Sequence, residues 1–192
     1  MRKVIIFTAV SLDGFIAKED DDIQWLYDLP NESDNHAIFM EFYHSIDTTL
    51  IGRITMDKMV EGGDIKPFSD KVNYAFSKKK RESSPGVTYV DEDIVSFVQK
   101  LKKQPGKNIW VVGGGQINKA LLENKLVDEI HLQIFPIFLG KGKPLAPLVD
   151  QAIWLAPENA DLMDNGVIKA VYRIQPTRWV PGDRRKTTPK TF

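Results

Sequence analysis

The sequence predicts an α/β fold: a central, mostly parallel sheet with helices on both faces and an antiparallel hairpin at its end. Three observations carry that expectation. Short β-branched apolar runs alternate with stretches of helical periodicity over the first two thirds of the chain. The connections are short, which suits one domain. Later, two strand-like runs flank Asn165-Gly166, a hairpin signal because both residues tolerate positive φ.

The elements follow in order. Val4 to Val10 is a continuous apolar run, read as a buried strand. Ile38, Phe39, Phe42, Tyr43 and Ile46 recur at helical spacing, with Asn31, Ser33 and Asp34 ahead of them as capping candidates. Thr48 to Ile51 is a short strand ending at Gly52, and a helix opens near Thr55. Val72 to Phe76 and Val87 to Val90 read as strands. Ile94, Phe97, Val98 and Leu101 mark an amphipathic helix stopped by Gln104-Pro105-Gly106. Ile109 to Val112 is a buried strand and Ile117 to Leu126 a helix. Ile130, Leu132 and Ile134 alternate as in a strand, and Ala160 to Met163 with Val167 to Ile174 form the hairpin. The domain therefore spans 1–175. The tail, 176–192, is polar and proline-rich, with too few apolar residues for a core of its own.

Composition narrows the function. Apolar residues make up 42% and charged residues 27%, as in ordinary soluble domains. Zero net charge leaves no global field to attract nucleic acid or an anionic membrane. Cysteine is absent, which excludes disulfides, thiol catalysis and thiolate metal sites. His131 stands in a strand without companion ligands, so no metal is expected. No apolar run approaches the ~20 residues that span a bilayer. The N-terminal apolar run is cut off by SLDG without a small-residue cleavage site, so a cytoplasmic protein is expected.

Three strand ends carry phosphate-friendly chemistry. Gly113, Gly114 and Gly115 precede Gln116 and Ile117 at a helix start, where unpaired N–H groups and the helix dipole favour an anion. A tight turn packing a helix on the sheet is the alternative; the G-x-G-x-x-G and Walker patterns are both incomplete. Gly52-Arg53-Ile54-Thr55 repeats the arrangement with a guanidinium and a hydroxyl. The third strand runs into Ser77-Lys78-Lys79-Lys80-Arg81, a cationic run that is either a solvated loop or part of a ligand site at a strand's carboxyl end. Together they point to NADPH in preference to NADH.

VSLDGFIA, IGRITM, VVGGGQI and DEIHLQIFPIFLGKGKPL occur in that order. They resemble the dihydrofolate-reductase superfamily, closest to stand-alone relatives of the reductase domain of the bifunctional riboflavin-biosynthesis deaminase-reductase. The resemblance implies a dihydrofolate-reductase-like three-layer fold and NADPH across the strand ends. It places Gly52, Arg53 and Thr55 at the adenine-side phosphates, Ser77 and Lys78 at the 2′-phosphate, and Gly113 to Ile117 at the pyrophosphate. It also implies a cis Gly113-Gly114 bond, nicotinamide contacts from Ala9 and Ile16, and a mobile loop over Asp13 to Trp25 with an exposed EDDD run. Asp13, Asp34 and His36 are the catalytic candidates. Trp25, Phe39, Pro136, Gly140 and Lys141 would border a small-molecule substrate, with Lys141 or Lys143 meeting its phosphate. A reductase similar to 5-amino-6-(5-phosphoribosylamino)uracil reductase is expected, working as a homodimer. The alternatives are a nucleotide-binding protein without turnover and a weak dihydrofolate reductase.

Overall fold

The computed structural model describes residues 1–29, 33–61, 68–83 and 85–176, with side chains in the first helix described from Ile38 onward. The capping candidate Asn31, the side chains of Ser33, Asp34 and His36, and tail residues 177–192 lie outside the described residues.

The strands are β1 (Val4–Ser11), β2 (Phe15–Ala17), β3 (Ile46–Gly52), β4 (Val72–Phe76), β5 (Thr88–Val90), β6 (Asn108–Gly113), β7 (Glu129–Phe135), β8 (Lys143–Pro144), β9 (Trp154–Leu162) and β10 (Ile168–Gln175). The helices are α1 (Ser33–Ser45), α2 (Arg53–Glu61), α3 (Ile94–Lys102) and α4 (Gly115–Glu123). Eight strands form one sheet in the order β5-β4-β3-β6-β1-β7-β10-β9. The six from β5 to β7 are parallel; β10 runs antiparallel to β7 and to β9.

Alternation along each buried strand builds two cores. Val4 and Ile6 of β1 join Val98, Leu101, Leu121 and Leu122 from α3 and α4. Ile5 and Phe7 face the other way, onto Phe42 and Tyr43 of α1 and onto Trp110. Met56 of α2 packs on Ile51 and Ala75.

The amino-terminal edge of the sheet is held by Arg2, which is buried. Its guanidinium donates to Lys107 O and Thr48 Oγ1, both at 2.6 Å, and pairs with Asp47. A Cβ on Gly106 would stand 2.7 Å from Asp47 Oδ2, so only glycine fits beneath this network.

The carboxyl edge behaves differently. β1 pairs with β6 only from Val4↔Ile109 to Ile6↔Val111, while its pairing with β7 continues to Ser11↔Phe135. β6 meanwhile stays with β3 through a register shift that brings Ile51 opposite Gly113. The sheet therefore splits between β1 and β6. Trp110 Nε1 donates to Phe7 O at 2.9 Å where the ladder stops, so this carbonyl keeps a partner.

Several expectations change. Ile46 is the first residue of β3 rather than a helical position; it is buried and pairs with Asn108. β9 starts at Trp154, six residues before the expected strand, and runs through Pro157, which an edge strand tolerates. α4 begins at Gly115 and ends at Glu123, where Lys125 takes φ +56° and Leu126 N bonds to Leu121 O, a helix stop without the usual glycine. In the hairpin only Gly166 takes positive φ; Asn165 Oδ1 accepts from Val167 N instead. The β2–β8 pair was not expected, being too short to show a period.

Replacing Trp110 by Phe should leave the Phe7 carbonyl unpaired and cost about 1–3 kcal/mol, read by urea denaturation. A cost below about 0.5 kcal/mol would show that the indole does not hold the strand where it splits.

Candidate active site

The carboxyl ends of β3, β4, β6 and β1 bring the expected cofactor residues to one edge of the sheet. A Cβ on Gly52 would stand 3.2 Å from Gly114 N and 3.3 Å from Gly113 O, and one on Gly114 would stand 3.6 Å from Thr55 Oγ1. Two turns distant in sequence are thus in contact. The Gly113-Gly114 peptide is cis, and Gly113 takes φ +123° with open space where a side chain would be. Gly115 is glycine for another reason: its Cβ would strike Pro144 O at 2.6 Å. Ile117 is a core residue, and its N–H returns to Gly114 O, whereas Gln116 is exposed.

Arg53 and Arg81 share one carboxylate, donating to Asp57 at 2.9 and 2.6 Å. That leaves the pair with one net positive charge beside the glycine turns. Thr55 is half-buried and Lys78 exposed. Ser77 is buried, with its hydroxyl engaged by the Lys79 backbone and its N–H by Val90 O. The donor set is two guanidiniums, an ammonium, a hydroxyl and the Gly115 and Gln116 amides at the start of α4, since Ile117 N and Asn118 N return to Gly114 O. Its chemistry suits phosphate oxygens, and the open glycine turn leaves room for them to approach the backbone. These residues fit a phosphate-bearing dinucleotide.

Beyond Ile6, the β6-facing edge of β1 at Thr8 to Val10 has no strand partner, which exposes Ala9 at the split. Above it lies the segment from Asp13 to Trp25. Asp13 accepts from Gly140 N at 2.7 Å, Leu139 N at 3.1 Å and Ser11 Oγ at 2.6 Å. Burial alone would raise its pKa, but these bonds outweigh it and hold the carboxyl below its usual range. Asp13 is an ionised brace between two loops. Ile16 is half-buried in β2, and Gly142 packs so closely that a Cβ would strike Ala17 O. The EDDD run is only half exposed: Asp21 pairs with Lys58 at 3.2 Å and Asp22 with Lys18 at 2.7 Å.

Of the expected substrate residues, Trp25 is buried, packs edge-on against Phe135, and has an indole N–H without a partner among the described residues. Phe39 is half-buried between Phe7, Tyr43 and Trp110. Pro136, Gly140 and Lys141 are exposed on the loop after β7. The side chains of Asp34 and His36 lie outside the described residues. Sequence reading missed Gln133 and Lys169, which stand beside Ala9 in the sheet; the sign was polar residues at alternate positions of apolar strands. It also missed Asn118, buried on α4, whose amide donates to Leu145 O at 2.8 Å and ties that helix to the β8 segment. Among the described residues, no group of three or more His, Asp or Glu side chains is placed to hold a metal ion. Nor is any helix among them long and apolar enough to cross a membrane. A cavity of about 740 Å³ lies at the opposite edge, lined by Lys3, Glu129, Trp154 and Arg173, far from the glycine turns.

This sheet, with its split and its glycine turns, has a dihydrofolate-reductase-like fold. The chain belongs to the RibD C-terminal domain family, whose model matches residues 2–169. It is 35% identical to two uncharacterized proteins of Bacillus subtilis (strain 168): YyaP, over 89% of this chain and 94% of that one, and YwjB, over 75% and 82%. A protein from Shewanella sp. PV-4, named for riboflavin biosynthesis, superposes with a TM-score of 0.81 at 25% identity, covering 90% of this chain and 99% of that one. A diaminohydroxyphosphoribosylaminopyrimidine deaminase/5-amino-6-(5-phosphoribosylamino)uracil reductase from Thermotoga maritima gives 0.68 at 15% identity, covering 91% and 57%. Dihydrofolate reductase from Enterococcus faecalis gives 0.59 at 18%, covering 90% and 96%. The last two speak to the fold. Family membership supports a reductase-like function.

His131 lies beneath this site, against Phe7 and Phe42, with Nε2 3.1 Å from Glu129 Oε2. Burial lowers its pKa more than Glu129 raises it, and Lys3 already balances that carboxylate at 2.6 Å, so the ring is neutral at pH 7. The unfolded chain takes up this proton first. Stability from His131 is therefore present above about pH 6.5 and lost as pH falls below it. His131→Phe should flatten the fall in unfolding free energy between about pH 7 and 5; an unchanged slope would mean that His131 does not cause it.

Proposed function

We propose that the protein is an NADPH-dependent reductase of a small heterocyclic or sugar-like substrate, similar to 5-amino-6-(5-phosphoribosylamino)uracil reductase. It works in the cytoplasm as a homodimer. The observation that carries this reading is the split between β1 and β6, flanked on one side by an unladdered β1 edge at Ala9 and on the other by the Gly113-Gly114 turn.

The groups that would hold NADPH are the α4 amides, Arg53 and Thr55 for the phosphates, Lys78 with the Ser77 turn for the 2′-phosphate, and the backbone of Ala9 and Ile16 for the carboxamide. When bound, NADPH supplies the hydride. The chain orients the reactants: Trp25 packs on Phe135 of β7, which pairs with Ser11 at the end of β1, and Asp13 ties its loop to the loop after β7. Asp13 is ionised and its oxygens are engaged, so it positions rather than protonates. The proton reaches the substrate from water or from Asp34 or His36 in the first turn of α1.

Fluorescence titration should give saturable NADPH binding with NADH markedly weaker, and Lys78→Ala should shrink that preference about ten-fold through loss of a charge-assisted contact. NADPH absorbance should then fall on adding 5-amino-6-(5-phosphoribosylamino)uracil. Binding without oxidation would favour a cofactor-binding protein of the same fold. Absence of NADPH binding would end the proposal.

A further inference from the structure

We propose that the cavity at the amino-terminal edge of the sheet is the docking site of the chain's own segment 177–192, with the indole of Trp179 as its anchor. The inference is independent of the reductase reading, because this edge lies opposite the glycine turns.

The cavity is large and floored by apolar side chains. Its volume is about 740 Å³, within the range of about 300–1,000 Å³ that holds a sizeable group. Leu122 and Val127, both buried, and Ile153 and Ile174, both half-buried, belong to the core formed with α3 and α4 and reach its wall. Trp154, 43% exposed, stands beside them. Apolar surface gathered in a hollow with an aromatic ring at its rim marks a place where another segment binds.

The chain supplies the occupant. Gln175 pairs with Trp154 across β10 and β9, and Pro176, the next residue, lines the cavity. The chain therefore leaves the sheet at the cavity wall. Residues 177–192 lie outside the described residues; their sequence opens with Thr177-Arg178-Trp179-Val180. Trp179 follows Pro176 by three positions, a reach of at most about 11 Å, so its ring can be seated without leaving the cavity. An indole joins a large apolar area to one polar N–H, which suits an apolar floor under a polar rim.

Charge favours the same occupant. Segment 177–192 holds five basic residues and one acidic, a net charge of +4. The chain has 26 of each sign, so residues 1–176 hold 21 basic and 25 acidic, a net charge of −4. Four carboxylates line the cavity, those of Glu123, Asp128, Glu129 and Asp150, against three cations. The tether then decides between this segment and that of a second copy. A linker of two residues gives an effective concentration on the order of millimolar, above that of free chains in dilute solution.

Indole NMR of the full-length protein tests the proposal. The chain has four tryptophans, and Trp179→Phe identifies the signal of the fourth. Its N–H should exchange with solvent about ten-fold more slowly than in a free peptide of residues 177–192, and should show NOEs to Ile153. Trp179→Ala should shift the signals of Ile153 and Trp154 while those of Gly113 to Gly115 stay in place. Exchange at the peptide's rate would overturn the proposal, as would unchanged Ile153 and Trp154 signals in Trp179→Ala. In an equal mixture of labelled and unlabelled chains, isotope-filtered NOEs between Trp179 and Ile153 should be absent. Their presence would make the occupant a second copy and overturn docking within one chain.

Discussion

Below Ile6, β1 is bonded to a strand on each side; above it, β1 is bonded on one side only. The candidate site depends on that asymmetry. A strand in the middle of a sheet normally has both edges satisfied, and an edge opened inside a sheet must find other partners or face a ligand. Here Trp110 takes one freed carbonyl and β6 follows β3 away from β1. The remaining gap lies at the carboxyl ends of parallel strands, where open α/β sheets bind their ligands.

Both ends of the gap are braced. At the amino-terminal edge, Arg2 ties β1 to β3 and to the start of β6 through Thr48, Asp47 and Lys107. At the carboxyl edge, the loops above the gap are linked to one another. Asp13 joins the first loop to Gly140, Leu145 N reaches Gly14 O, and Asn118 joins Leu145 O to α4. The glycine helix and the loop over Ala9 are therefore mechanically connected through the β8 segment. Surface ion pairs such as Asp21–Lys58 add little energy to this assembly, because both partners are largely solvated.

Much of this was legible in the sequence. Short strand-like runs gave five of the six parallel strands, because strands buried on both faces favour continuous apolar side chains, and the alternation of Ile130, Leu132 and Ile134 gave β7. The glycines of the two turns were legible because close backbone approach tolerates no Cβ. Other features were not. The helix stop at Lys125 uses a left-handed lysine, which no residue preference announces. Pro157 and its polar neighbours hid the first half of β9, since an edge strand needs neither apolar alternation nor every N–H. Gln133 and Lys169 looked like ordinary polar positions of half-exposed strands; only register sets them beside Ala9. The role of Asp13 was equally hidden, because its partners are backbone amides more than 120 residues away.

The central claim is that the split in the sheet is the cofactor slot. A crystal structure of the NADPH complex tests it most directly. The account requires density for the nicotinamide between Ala9 and the Gly113-Gly114 turn, with the pyrophosphate against the start of α4. Density in the cavity at the far edge, against Lys3, Glu129 and Trp154, would contradict it.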